Sequence, residues 1–98
     1  MNADDRQEAC SPSLILFVAG EAPRSRRARS NLTQALDACG YATTAVQEID
    51  VIKQPQRTLE YGIFATPALL HGEADTHSVI YGDLSDSDKL RRFLAENV

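Results

Sequence analysis

Two thiols and two imidazoles are the side chains here best suited to chemistry, and their spacing serves none well. Cys10 and Cys39 stand 29 residues apart, and no C-x-x-C occurs. Two cysteines cannot make a zinc site without histidine help. His71 and His77 are six residues apart, which fits neither one face of a helix nor one face of a strand. No metal site or cofactor is expected from these four residues. Cys39 falls on an apolar helical stripe and reads as a small buried hydrophobe. It also falls near a helix C-terminus, the wrong end of the dipole for a thiolate. Cys10 lies in a polar stretch and reads as exposed. The remaining chemical signal is Thr66-Pro67, which opens an apolar run in "ATPALLHG".

The elements that must position these groups follow from patterning. Residues 1–12 read as a flexible leader closed by Pro12, and 13–98 as one domain. "SLILFVAG" (13–20) is a continuous apolar run of the length of a buried central strand. Ala28, Leu32, Ala35, Leu36 and Cys39 recur at helical spacing, with Pro23 near the start and Gly40 past the end. "YATTAVQEIDV" (41–51) reads as a strand. "IKQPQRTLEYG" (52–62) reads as a short helix beginning near Pro55. Residues 67–72 and 76–82 form a hairpin. Ser85, with Asp88 three residues on, is a capping-box variant opening a last helix striped by Leu90, Phe93 and Leu94.

The order βαβαββα places two parallel strands and an antiparallel pair in a four-stranded mixed sheet. That is an α/β, thioredoxin-like architecture. In thioredoxin-like enzymes the loop after the first strand carries the redox cysteines, and a cis-proline opposite it begins the third strand. Thr66-Pro67 holds the proline's place. The loop reads "AGEAPRSRRA" and holds no cysteine, so no low-pKa sulfur sits at the helix N-terminus. The scaffold is redox-shaped and chemically empty, and no enzyme activity is expected; a thiol oxidoreductase using Cys39 is the remote alternative.

The hydrophobic fraction of 43% is that of a globular domain, and the net charge is −4. An acidic surface disfavours nucleic acid. No apolar run is long enough for a membrane helix, and the acidic, polar start is not a signal peptide, so a cytoplasmic protein is expected. Arg24, Arg26, Arg27 and Arg29 crowd six residues. A solvated helix face is the plain reading and an anionic partner surface the other.

In order and spacing, "LFVAGEAPRSRRA", "IDVIKQPQ", "ATPAL" and "IYGDLSD" resemble the segments of the KaiB family of circadian-clock proteins, over roughly residues 14–94. They are similar also to the KaiB-like sensor domain of SasA histidine kinases. The resemblance implies a non-catalytic protein that binds a KaiC-type hexameric ATPase and modulates its output by competition among partners. A SasA- or CikA-type histidine kinase would compete or join the complex. An input module acting on a histidine kinase is the alternative. The family is metamorphic. One state is a tetramer of order βαββααβ, the other a thioredoxin-like monomer.

Two features bear on which state this chain takes. Where the family carries a proline run and basic residues, this chain has Gly72, Glu73, Ala74, Asp75, Thr76, His77 and Ser78. Fewer prolines ease a hairpin ladder, and Thr76, Val79, Ile80 and Tyr81 favour a strand. The thioredoxin-like state, as a monomer, is therefore expected. Family members place basic residues near Gln47, Gly62, His71 and Ser78, and none is basic here. Gln47, Asp50, Lys53, Arg57, Gly62 and His71 are the candidate partner contacts, with helix initiation the other role for Asp50. Gly20, Thr66, Pro67, Gly72, Gly82 and Asp83 are the candidate structural and fold-switch positions. Tyr61 and Phe64 are expected in the core, with interface anchors the alternative.

Overall fold

A computed structural model describes residues 14–40, 46–73 and 75–97. Its elements run β1 (Leu14–Val18), α1 (Pro23–Ala38), β2 (Val46–Asp50), α2 (Pro55–Glu60), β3 (Ala68–Gly72), β4 (His77–Tyr81) and α3 (Ser87–Asn97). The sheet order is β2-β1-β3-β4, with β1/β2 parallel and the other pairs antiparallel. This is the βαβαββα, thioredoxin-like order and not βαββααβ.

The apolar run at the start of the domain explains the layering. All five residues of β1 are buried, because side chains alternate between two covered faces. Leu14, Leu16 and Val18 point into one core with Leu69 and Ile80. Ala28, Leu32 and Leu36 of α1, and Leu90 and Leu94 of α3, close it. Ile15 and Phe17 point the other way, with Ile49, Ala68, Leu70 and Ile63. There, among the described residues, the only cover from a helix is α2, six residues long, with Thr58 its only buried side chain. The second face is thinly roofed. Leu59 is 76% exposed and Phe64 86% exposed. Phe64 is thus not core; only Tyr61, half-buried and edge-on to Phe17 at 5.6 Å, packs as expected.

Several boundaries differ from the sequence expectation. The leader and residues 41–45 lie outside the described residues; the described part of the second strand is Val46–Asp50. Cys39 is half-buried just past the end of α1 rather than sealed on its stripe. The last helix is capped by Asp86, not Ser85. The Lys89 N–H donates to Asp86 Oδ1 at 3.1 Å, and Leu90 N–H to the Asp86 carbonyl at 3.0 Å. Ser85 instead donates its own N–H to Asp83 Oδ1. An Asp outcompetes the nearby Ser because its oxygens reach the N3 amide while Ser85 is used in the preceding turn.

Two backbone corners shape the second half. Gly72 has φ +129°, and a Cβ there would stand 2.5 Å from the Thr76 carbonyl oxygen, so only glycine turns this corner. Leu84 is the one described non-glycine residue with positive φ, at 64°. Its side chain is buried in the core beneath α1 and α3, and that burial outweighs a left-handed cost of about 1–2 kcal/mol. Leu84→Ala keeps the strained Cβ and loses the packing. Leu84→Gly loses the packing and relieves the strain. Urea melts should show both variants destabilised, the alanine by as much as or more than the glycine, by up to about 1 kcal/mol. A glycine variant clearly weaker than the alanine contradicts this account.

Candidate functional site

In this fold a redox site would lie where the β1–α1 loop meets the start of β3. Thr66–Pro67 is cis, and Pro67 is buried immediately before β3. Its carbonyl accepts the Gly82 N–H at 2.9 Å, which ties the start of β3 to the end of β4. Opposite, α1 opens on Pro23 without a side-chain cap. The buried side chain of its first turn is Ser25, 1% exposed. Ser25 Oγ accepts the Ala19 N–H at 3.0 Å and closes the loop on the helix. The first turn of α1 thus carries a hydroxyl used for structure. The free thiol among the described residues, Cys39, sits at the far end of the same helix. Sequence inspection passed over Ser25; its signal was a small side chain two residues after a helix-opening proline.

The second cluster sits at the carboxyl ends of β1 and β2. Asp50 Oδ1 accepts the Gly20 N–H at 3.2 Å and the Ile52 N–H at 3.0 Å. Its carbonyl accepts from Lys53 and Gln54. Asp50 therefore shapes the turn leading to α2, whose cap position is Gln54, and couples that turn to the loop after β1. Lys53 and Gln47 are exposed, Arg57 is half-buried on α2, and Gly62 is exposed just past that helix with φ +70°. Gln47 pairs with Ile15 and so shares the α2 side of the sheet. His71 pairs with Leu14, so it lies on the opposite face, under α1 and α3. Asp50, Lys53, Arg57 and Gly62 thus follow one another from the end of β2 to just past α2, and His71 stands apart on the other face of the sheet.

The arginine cluster is half spent. Arg29 Nε donates to Glu48 Oε2 at 2.9 Å, Nη1 to Glu21 Oε1 at 3.4 Å, and Nη2 to the Gly20 carbonyl at 3.0 Å. The Glu48 hydrogen bond, against a partial desolvation cost, raises the Arg29 pKa still further. Arg27 Nε pairs with Asp83 Oδ2 at 3.1 Å. Arg24 and Arg26 remain exposed, with no ion pair to a described residue. Asn31 Nδ2 also donates to the Asp83 carbonyl at 2.9 Å. The Gly82–Asp86 joint is thereby lashed to α1. The Ser85 hydroxyl, and then Arg27, hold the Asp83 carboxyl below the usual carboxylate range.

On the thinly covered face, His77, Val79 and Tyr81 project from β4 at every second residue. Tyr61 approaches the His77 ring at 6.3 Å and Phe64 approaches Tyr81 at 5.4 Å. Among the described residues no group of three His, Cys, Asp or Glu side chains could hold a metal, and no helix is long and apolar enough to cross a membrane.

Residues 15–95 match the model of the KaiB domain. The chain is 42% identical over 77 residues to the circadian clock oscillator protein KaiB of Prochlorococcus marinus strain MIT 9312, covering 79% of this chain and 73% of that one. It is 40% identical over 77 residues to the KaiB of Microcystis aeruginosa, covering 79% and 74%. Among solved structures, the N-terminal domain of Synechococcus elongatus SasA superposes with a TM-score of 0.71 at 28% identity, covering 88% of this chain and 81% of that one. Fasciola hepatica thioredoxin superposes at 0.71 with 13% identity, over 97% and 93%, a likeness of fold alone.

The geometry predicts that Asp50→Ala frees two loop amides and lowers unfolding free energy by about 1–2 kcal/mol, read by denaturant melts. For Asp83 the folded pKa lies below the unfolded one, about 3.9. Its stabilisation is therefore present above that value and lost as pH falls through the lower folded value. NMR titration should find Asp83 still ionised where free carboxylates are half protonated, and Asp83→Asn should flatten the acid limb of the stability curve. An ordinary titration midpoint contradicts both.

Proposed function

The chain belongs to the KaiB family, and on that premise we propose that it is a non-catalytic clock protein that docks in the cytoplasm on a KaiC-type hexameric ATPase and alters its output by competing with other partners. The observation that carries this is Ser25. The first turn of α1, where the fold would place a redox site, buries a hydroxyl committed to the Ala19 amide, and this supports a fold that offers surface in place of chemistry. The curated relatives are named as clock oscillator proteins, which supports the same class.

The β2–α2 connection is the contact surface best supported. Lys53 and Ile52, the latter 70% exposed, lie on the connection itself, and half-buried Arg57 and 76%-exposed Leu59 follow on α2, on either side of the buried Thr58. Cations interleaved with exposed aliphatics suit a protein partner with acidic and apolar groups. Gln47, Asp50 and Gly62 frame that connection. Asp50 serves it by holding the turn, and Gln47 and Gly62 are neutral where the family resemblance implies basic residues. His71, on the other sheet face, makes at most a separate contact. The C-terminal half runs strand–strand–helix, the order that the family resemblance implies for the KaiC-binding state; Thr66, Pro67, Gly72, Gly82 and Asp83 in that half, and Gly20 in the loop after β1, are the positions proposed to matter for it.

A second reading draws support from the superposition with the SasA domain: a regulatory module acting on a SasA- or CikA-type histidine kinase.

Size-exclusion chromatography after overnight incubation with a KaiC-type hexamer tests the first reading. Co-elution is expected, and Lys53→Glu with Arg57→Glu should weaken it about tenfold or more through like-charge contacts. Absence of any complex, with binding to an isolated kinase core, would replace the first reading by the second.

A further inference from the structure

The two outer strands of the sheet are protected very differently. β2 (VQEID) carries Glu48 and Asp50, and Arg29 is clamped across Glu48 at 2.9 Å. β4 (HSVIY) contains no Asp, Glu, Lys, Arg or Pro. Its register with β3 is continuous, without a bulge, from Ala68–Tyr81 to Gly72–His77. No further strand lies beside it among the described residues. Proteins ordinarily blunt a free edge with charge, proline or a bulge, and β4 has none of these.

The unpaired backbone groups can be assigned. The Glu73 N–H donates to the Thr76 carbonyl and the Gly82 N–H to the Pro67 carbonyl, both at 2.9 Å. Bonded and non-bonded pairs alternate along an antiparallel ladder, so Ser78 and Ile80 bond to β3 as well. His77, Val79 and Tyr81 therefore turn their N–H and C=O groups outward. They are also the three residues whose side chains form the strip on the thinly covered face, with Phe64 86% exposed against Tyr81.

We propose that β4 is a self-association edge, and that two copies of this chain join β4 to β4 antiparallel about a two-fold axis at Val79 into one eight-stranded sheet. The register follows from the outward groups. Only His77 opposite Tyr81, Val79 opposite Val79 and Tyr81 opposite His77 use all three residues of each edge in bonded pairs. The same register makes the contact self-complementary, as a two-fold interface must be. It sets an imidazole against a phenol ring at both ends and valine against valine at the centre, with no like charges opposed. It also merges two small apolar strips, each flanked by its Phe64, into one. The charged β2 edge offers a second copy no such match. This dimer stands in place of the monomer expected from the sequence, and it does not depend on which ATPase or kinase the chain meets.

Analytical ultracentrifugation of the full chain over a concentration series tests the idea. A reversible shift from one chain mass to two is expected. Val79→Lys and Val79→Glu each oppose a charge to its own copy and should raise the half-association concentration about tenfold or more. Mixed in equal amounts, the two should recover a dimer. Val79 is half-buried, so circular dichroism melts check that the variants fold. Tyr81→Lys, at a more exposed position, should also weaken association. Hydrogen exchange should show the His77, Val79 and Tyr81 amides gaining protection with concentration while those of β2 do not. Overturning results are a wild type that keeps one chain mass throughout, folded charge variants that dimerise undiminished, a lysine–glutamate mixture that does not recover, or protection appearing at β2 instead.

Discussion

The burial of β1 on both faces is the constraint from which the rest of the architecture follows. Five apolar residues in succession cannot form the amphipathic strand of a one-sided sheet. They require cover above and below, and neighbours on both sides to take their backbone groups. One flank receives β2 through the α1 crossover, the other receives β3. Because Leu14, Leu16 and Val18 need a larger roof than Ile15 and Phe17 receive, both long helices settle on one side. The other side is left to a six-residue helix. The uneven roofing explains why the exposed large hydrophobic residues Ile52, Leu59, Phe64 and Tyr81 all belong to α2, the segments beside it, or the strand at the open margin of that face.

Much of this was legible in the residues. The period of Ala28, Leu32 and Leu36, the unbroken apolar run at 14–18 and the β-branched character of 76–81 report packing demands that tertiary structure satisfies rather than overrides. Pattern failed where competition among neighbours decides. Ser85 and Asp86 both have capping side chains, and only the three-dimensional turn assigns Ser85 to Asp83 and leaves Asp86 for the helix. Phe64 reads as core by type. It is exposed because the chain must rise from Ile63, in the core, to the corner at Thr66–Pro67, which turns the intervening residues outward. Of the candidate contacts, Asp50, Lys53, Arg57 and Gly62 follow one another along β2, α2 and the turns at either end of α2. His71 was tied to them only by family position, and strand alternation sends it to the other face.

The scaffold also separates fold from chemistry. The same strand–helix junction that can acidify a thiol is here occupied by Ser25, whose oxygen takes a loop amide. Thioredoxin-like topology at 13% identity thus says nothing about redox function. The local atoms decide, and they bind the chain to itself.

α1 meets the sheet through more than its apolar stripe. On one flank of Ala28 and Leu32, Arg27 and Asn31 hold the Asp83 segment; on the other, Arg29 holds Glu48 and the Gly20 carbonyl. Greasy contact alone would let a cylinder roll by several degrees at little cost. Polar rails on both sides fix its azimuth, and one rigid rod thereby sets the distance between the first half of the chain and the last.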